Sequence, residues 1–400
     1  MFRPYILELK ELFLCREAML NALICIVWAF SLLGYMRGVI NHLPVLGEYT
    51  DEIEVLIVVL PLLASLPILV NRFALHDYLF VLLFIFYFGL TYAVHPENEV
   101  FLNKYAFESL CLALPGYFIG RLIDIRRFFH TFVLLSGVCV LMNTFYYVVY
   151  VQATKNIAEM MTDDNMETAY NVLPHVMMLA WCSMRRFDIV ATALAVVGAV
   201  FLSSCGTRGP LFCALLFCGV YFLFYMNFKY SYLVKAALLG VLVILYAFLE
   251  EIMSYLVFTF TNMHLSTRVF EKFLSGEIGH DSGRAWVRGV VLRNMDVHGD
   301  FFGIGLLGSR VYGVAYPHNL FVDFVASFGY VCGIGLLLLM FATIIMAIWK
   351  SRGTQNQVFV ILLVILGVVK LMMSCTFPLE LYFFMMLGVC VSQIRGVSRA

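Results

Sequence analysis

Four short stretches of the chain hold residue types that could bind an anion or form a tight turn next to it. The longest basic run, residues 250–319, contains Arg268, Lys272, Arg284, Arg288, Arg293 and Arg310. A guanidinium group binds two phosphate oxygens side by side, and a histidine exchanges protons near neutral pH. These residue types indicate anion recognition with a candidate general base close by.

The first candidate is a tight turn at residues 203–210, with the sequence SSCGTRGP. Glycine and proline on both sides of Arg208 predict a short connection between two apolar helices. Flanking glycines would leave the guanidinium and the backbone N–H groups open to an anion. The alternative is that Arg208 only reaches the membrane interface with its charged end.

The second candidate is the segment DSGRAWVR at residues 281–288. Asp281 or Ser282 is a plausible N-cap of a helix that runs to about Asn294. Arg284 and Arg288 are four residues apart and share one face, which favours a diphosphate clamp. The alternative is a helix on the membrane surface whose arginines contact lipid phosphates, with Trp286 at the headgroup level.

The third candidate, GDFFGIGLLG at residues 299–308, resembles a phosphate-binding loop only in its glycines. It follows no predicted strand and lacks the Lys-Ser/Thr ending of such loops. A flexible, closely packed turn is the better interpretation.

The fourth candidate is Tyr316-Pro317-His318-Asn319, which precedes an apolar run. We expect His318 to begin a helix at the outer edge of the membrane and to act as a catalytic general base or contact substrate. Asp323 and Glu380 are possible companions. The alternative is a structural histidine at the interface.

The composition is that of a polytopic membrane protein. Hydrophobic residues make up 62% of the chain and charged residues 13%, whereas soluble domains are about half apolar and a quarter charged. Equal numbers of basic and acidic residues, 26 each, argue against a nucleic-acid partner. The cysteines lie mostly in apolar runs without metal-ligand spacing, which indicates buried free thiols. Neither a metal nor another cofactor is expected.

Apolar runs of spanning length predict about twelve membrane helices in a single membrane domain, residues 1–400. They lie near residues 18–36, 54–70, 77–94, 105–121, 128–151, 169–184, 187–205, 209–227, 231–249, 318–348, 357–373 and 380–394. Lys and Arg concentrate in alternate loops, which places both termini in the cytoplasm. Residues 250–317 then form one large extracytoplasmic loop.

Taken in this order, the motifs resemble the O-antigen polymerase and O-antigen ligase family of bacterial surface-polysaccharide enzymes. The matching residues are Thr207-Arg208-Gly209, Ser282-Gly283-Arg284 with Trp286, Gly303-Ile304-Gly305 and Tyr316-Pro317-His318-Asn319. The resemblance covers residues 200–335 and implies a metal-independent, GT-C-like glycosyltransferase of the bacterial plasma membrane, with its active site on the extracytoplasmic face.

The resemblance also implies roles for the site residues. Arg208 and Arg284 would hold the diphosphate of an undecaprenyl-diphosphate-linked glycan, and His318 would activate the acceptor hydroxyl; helix geometry adds Arg288. Asp281, Asn319, Asp323 and Glu380 would support them. The motif forms favour a polymerase of O-antigen, capsule or exopolysaccharide over a ligase that uses lipid A core, and candidate partners are a chain-length regulator and a flippase. A lipid-linked-oligosaccharide flippase remains an alternative function, with Asn143, His175 and Lys370 as its candidate midplane residues.

Overall fold

The computed structural model describes residues 74–123, 125–147, 163–186, 188–225, 247–262, 266–276, 283–298 and 302–396, with a few isolated positions. Within these ranges the chain consists of helices and the turns between them, with no strand. The predicted span near residues 18–36, all but Leu56 of the one near 54–70, and 11 of the 19 residues of the one near 231–249 lie outside the described residues.

The α-helices follow one another with short connections. In chain order they are α1 (Leu75–Val94), α2 (Glu99–Phe107), α3 (Pro115–Leu122), α4 (Ile125–Tyr146), α5 (Asp163–Arg186), α6 (Ile189–Ser204), α7 (Arg208–Val220), α8 (Leu249–Asn262), α9 (Arg268–Leu274), α10 (Arg284–His298), α11 (Leu320–Lys350), α12 (Gln355–Val364) and α13 (Leu381–Arg395).

Within the described ranges, four helical stretches are long and apolar enough to cross a membrane: Leu75–Val94, Arg208–Tyr225, Leu320–Lys350 and Gln355–Met372. Each agrees within a few residues with a predicted span, because about 20 apolar residues in a helix match the hydrocarbon thickness. These helices confirm the expected helical membrane protein. The total of twelve spans stays a prediction.

Contacts divide the chain into two compact units. Most described residues of the first unit lie within Phe129–His280, and those of the second within Leu56–Phe128 and Asp281–Ala400. The predicted loop at residues 250–317 therefore contributes residues to both units. The single membrane domain over residues 1–400 stays a prediction.

Helices α3 and α13 of the second unit approach each other closely through glycines. A Cβ atom on Gly120 would lie 2.2 Å from the Met385 carbonyl oxygen, and one on Gly388 would lie 2.1 Å from that of Tyr117. Gly116 and Gly120 have the small-xxx-small spacing that lets membrane helices meet at backbone distance. These glycines therefore fix the α3–α13 contact.

Replacing Gly388 with alanine should destabilise the protein. The added methyl group meets backbone rather than a side chain that can move, and overpacking of this kind costs about 1–3 kcal/mol. The matched control is Gly89→Ala on α1, where a Cβ meets nothing within 4 Å; there alanine's helix propensity should stabilise by up to about 1 kcal/mol. Equal unfolding midpoints of the two variants in detergent would contradict the predicted packing.

A buried ion pair joins the start of α1 to α3. Arg121 donates from Nε to Asp77 Oδ1 (2.7 Å) and from Nη2 to Asp77 Oδ2 (3.1 Å). Tyr117 donates its hydroxyl proton to the same carboxylate at 2.6 Å. Asp77 is fully buried, so its charge is balanced within the unit, as a buried carboxylate requires.

Candidate functional site

The Arg208 turn of the first unit has the predicted form. Helix α6 ends at Ser204 and α7 begins at Arg208, with Gly206 at a φ of +69°. A side chain at Gly206 would also meet Ser266 Oγ, 2.6 Å from an added Cβ. Arg208 is half-buried at the first position of α7, where backbone N–H groups lack helical partners.

The Arg284 helix is also present, and it runs further than expected. Helix α10 ends at His298 rather than near Asn294. Arg284 and Arg288 are half-buried on one face, while Trp286 is 67% exposed. At the far end, Tyr330 donates a hydrogen bond to Asp296 (2.9 Å), which ties α10 to α11. Asp281 lies outside the described residues.

The glycine-rich segment is a closely packed turn in which some backbone N–H groups already have acceptors. Ile304 N–H donates to the Ala326 carbonyl oxygen at 2.7 Å, and Gly308 N–H donates to that of Gly305 at 3.2 Å. At Gly303 (φ +74°) an added Cβ would lie 2.3 Å from the Ala326 oxygen. The described residues 302–308 therefore leave little room for a phosphate, in agreement with the turn interpretation.

Helix α11 begins at Leu320, two residues later than predicted. His318 has a φ of +53°, a left-handed conformation that a helix cannot continue. Asn319 is instead the N-cap, and its Oδ1 accepts from the N–H groups of Phe321 (2.9 Å) and Val322 (3.2 Å). The expectation that His318 itself starts the helix is wrong. Non-glycine residues in this conformation are uncommon and are found preferentially at functional positions.

The imidazole of His318 is oriented by a carbonyl group. Its Nδ1 lies 2.9 Å from the Met373 carbonyl oxygen. A carbonyl oxygen only accepts hydrogen bonds, so Nδ1 carries the proton and Nε2 holds the lone pair in the neutral ring. The Tyr316 ring packs edge-on against the imidazole, with centroids 4.4 Å apart.

Asp323 anchors the turn that carries Met373. Its Oδ2 accepts from Thr376 Oγ1 at 2.7 Å and from the Phe377 N–H at 3.1 Å. Asp323, Thr376 and Phe377 are each less than 10% exposed. The first turn of α11 is therefore tied to the segment that orients His318.

Glu380 ends the turn that carries Met373. Its carboxylate forms an ion pair with Lys370, and its Oε1 caps α13 by accepting from the Tyr382 N–H at 3.3 Å. Both charged side chains are largely buried. The residues from Lys370 to Glu380, called the His318-supporting turn below, are thus held by Asp323 in the middle and by an ion pair across the ends.

Cys375 lies in the His318-supporting turn with a φ of +69°. Burial raises the pKa of its thiol to about 12, so it stays neutral and poorly nucleophilic. Both Cys375 and Cys205 are free. Among the described residues, no three His, Cys, Asp or Glu side chains come together as a metal site requires.

The structure brings His318, Asn319, Asp323 and Glu380 to one region of the second unit. Arg284 and Arg288 belong to the same unit, whereas Arg208 belongs to the first. Sequence reasoning missed Met373 and Thr376, and it took Lys370 only as a candidate midplane residue of a flippase. The sequence did hold one signal for the ion pair. Lys370 and Glu380 have opposite charges, lie ten residues apart and stand at the ends of apolar runs.

Replacing Asp323 with alanine should lower the stability of the folded protein. The change leaves the Thr376 hydroxyl and the Phe377 N–H buried without their acceptor, at a cost of about 1–3 kcal/mol per group. Thr376→Val is the matched control, because it removes only one hydrogen bond and leaves no unpaired donor. If the unfolding midpoint of Asp323→Ala were no lower than that of Thr376→Val, the anchoring role would be wrong.

Comparisons with models of known protein families, with curated proteins and with solved structures found no match for the chain.

Proposed function

We propose that the chain is a glycosyltransferase of the bacterial plasma membrane that polymerises undecaprenyl-diphosphate-linked repeat units into a surface polysaccharide. Its product is an O-antigen, capsule or exopolysaccharide. In this proposal about twelve spans form a GT-C-like scaffold with both termini in the cytoplasm. The reaction takes place on the extracytoplasmic side, where His318 and the basic segment before it meet the membrane.

The observation that carries the proposal is the arrangement around His318. The Met373 carbonyl oxygen fixes the proton on Nδ1 at 2.9 Å, which makes Nε2 the basic atom of the neutral ring. The same hydrogen bond stabilises the imidazolium that forms when Nε2 accepts a proton. A carbonyl or carboxylate partner on the distal nitrogen is the usual way to orient a catalytic histidine.

The proposed reaction forms one glycosidic bond and breaks one bond to phosphate. The acceptor hydroxyl oxygen attacks the anomeric carbon of the donor, and its proton moves to His318 Nε2. The bond between that carbon and the diphosphate oxygen breaks, and its electron pair leaves with undecaprenyl diphosphate. Arg284 and Arg288, which belong to the same unit as His318, stabilise the negative charge that develops there, as fixed guanidinium groups do in a site with little water.

Three polar residues that a transporter could use near the membrane centre have local partners instead. His175 Nδ1 lies 3.0 Å from Ser136 Oγ, and the Asn143 amide donates to the Cys139 carbonyl oxygen at 2.8 Å. Lys370 is paired with Glu380. These contacts support an enzyme over a flippase, because a transport pathway needs polar groups that face a cavity.

Purified full-length protein in liposomes tests the proposal when it is given a lipid-linked repeat unit alone. We expect glycan chains longer than one repeat unit on undecaprenyl diphosphate. Transfer that appears only after addition of lipid A core would make the protein a ligase. Movement of the substrate across the bilayer without a new glycosidic bond would make it a flippase.

A further inference from the structure

Arg310 is a largely enclosed cation that lacks a carboxylate partner in the part of the chain that the structure describes. Its Nη1 donates to the Tyr105 hydroxyl at 2.7 Å, and its guanidinium stacks over the Tyr105 ring, 4.0 Å from the centroid. Its Nε is buried and makes no hydrogen bond there. A buried donor without an acceptor is rare and costly, so it calls for a physical explanation.

Arg121 of the same unit shows how the Nε–Nη2 edge of a guanidinium binds a carboxylate in this protein. Its Nε and Nη2 form one edge that donates a hydrogen bond to each carboxylate oxygen of Asp77, at 2.7 and 3.1 Å. In Arg310 the opposite nitrogen, Nη1, is the one used by Tyr105. The Nε–Nη2 edge of Arg310 therefore has the geometry that Arg121 uses for an oxyanion, but among the described residues no oxyanion meets it.

Asp323, a carboxylate that interacts with Arg310, does not fill this place. Arg310 is close enough to Asp323 for the two charges to interact, but Asp323 Oδ2 accepts from Thr376 and Phe377. Asp323 is also one turn into the helix that follows His318. The unfilled edge of Arg310 thus belongs to the same region as the candidate base.

Tyr105 holds the Arg310 guanidinium in one orientation before any ligand binds. Stacking on the ring fixes the plane of the guanidinium, and the hydrogen bond to the hydroxyl fixes its rotation within that plane. A cation held in this way loses little side-chain entropy when an anion binds, and the bidentate edge matches the spacing of two phosphate oxygens.

We infer that Arg310 is a further phosphate-binding residue, whose Nε–Nη2 edge holds two oxygens of the diphosphate on the lipid-linked donor next to His318. This inference rests on the proposed function for the identity of the ligand. Tyr105 is the positioning residue of this site. Arg310 then joins the arginines of the sequence motifs as a group that neutralises the leaving diphosphate.

Binding of a short-chain isoprenyl diphosphate to the full-length protein in phosphatidylcholine nanodiscs tests this inference. We expect Arg310→Gln to raise the Kd by about 10- to 100-fold, as for loss of hydrogen bonds to a charged group. Arg310→Lys should bind with an intermediate Kd, since it keeps the charge and loses the edge. The matched control is Arg293→Gln, which removes an exposed arginine from α10 and should leave the Kd unchanged.

Three outcomes would overturn the inference: a wild-type Kd in Arg310→Gln, a wild-type Kd in Arg310→Lys, or competition by phosphatidylglycerol as strong as that by inorganic pyrophosphate. The last would mean that the residue contacts ordinary lipid headgroups. If Arg310→Gln fails to fold, Arg310→Lys and Tyr105→Phe decide the matter, and Tyr105→Phe should weaken binding by a few-fold. Arg310-dependent diphosphate binding by a protein that makes no polymer would overturn the proposed function and leave the binding site standing.

Discussion

Replacing His318 with glutamine should lower the rate of glycan elongation by about 10²–10⁴-fold, the usual contribution of a general base. The glutamine side chain can still donate to the Met373 carbonyl oxygen, but it cannot accept the acceptor's proton. The effect should fall on kcat, with little change in KM for the lipid-linked donor, because the proton moves only in the transition state. The measurement is the initial rate of polymer formation by purified protein in liposomes.

His76→Gln is the control for this variant. His76 lies at the start of α1 next to Asp77, and its side chain is 31% exposed; it has no role in the proposed reaction. We expect it to retain elongation activity. An elongation rate in His318→Gln that equals that of His76→Gln would remove His318 from the chemistry and leave it a structural role.

Replacing Glu380 with glutamine should destabilise the folded protein by about 3–5 kcal/mol, the cost of leaving one member of a buried ion pair without its partner. Lys370 and Glu380 have side chains only 12% and 5% exposed, so water cannot replace the lost charge. Glutamine can still cap α13 through its amide oxygen, which isolates the electrostatic effect. The measurement is the free energy of unfolding in mild detergent.

Two further variants test the same ion pair. Glu97→Gln removes a carboxylate that is 44% exposed and lies 3.1 Å from His95, and it should cost less than about 1 kcal/mol. The double variant Lys370→Met with Glu380→Gln should recover much of the lost stability, since no unpaired charge remains. Equal losses in Glu380→Gln and the double variant would mean that the pair contributes through packing alone.

Local patterns in the sequence were sufficient to predict the long helices. The span predicted near residues 77–94 is α1, and the one near 318–348 is α11, because each needs only a run of apolar residues of membrane length. Helix α10 was predicted instead from the polar residues before it, and it begins at Arg284, directly after Gly283, which has a φ of +81°. Gly329, inside the span predicted near 318–348, has a non-helical φ of +79° within α11, a conformation open to glycine.

The contacts of the candidate site could not be predicted from local patterns. The hydrogen bond from His318 to Met373 joins residues 55 positions apart, and the contact between Arg310 and Tyr105 joins residues 205 apart. Both depend on how α2, α11 and the His318-supporting turn pack together, which hydrophobic periodicity does not specify. The left-handed conformation of His318 was missed for a related reason, since histidine, although enriched in this conformation, adopts it only in a minority of cases.

The stoichiometry of product release tests the central claim most directly. Full-length protein in liposomes is given a lipid-linked repeat unit, and both new glycosidic bonds and free undecaprenyl diphosphate are counted over the first turnovers. The proposed function predicts equal amounts of the two, and neither above background with His318→Gln. Bond formation in His318→Gln at the wild-type rate, or release of undecaprenyl monophosphate in place of the diphosphate, would contradict it.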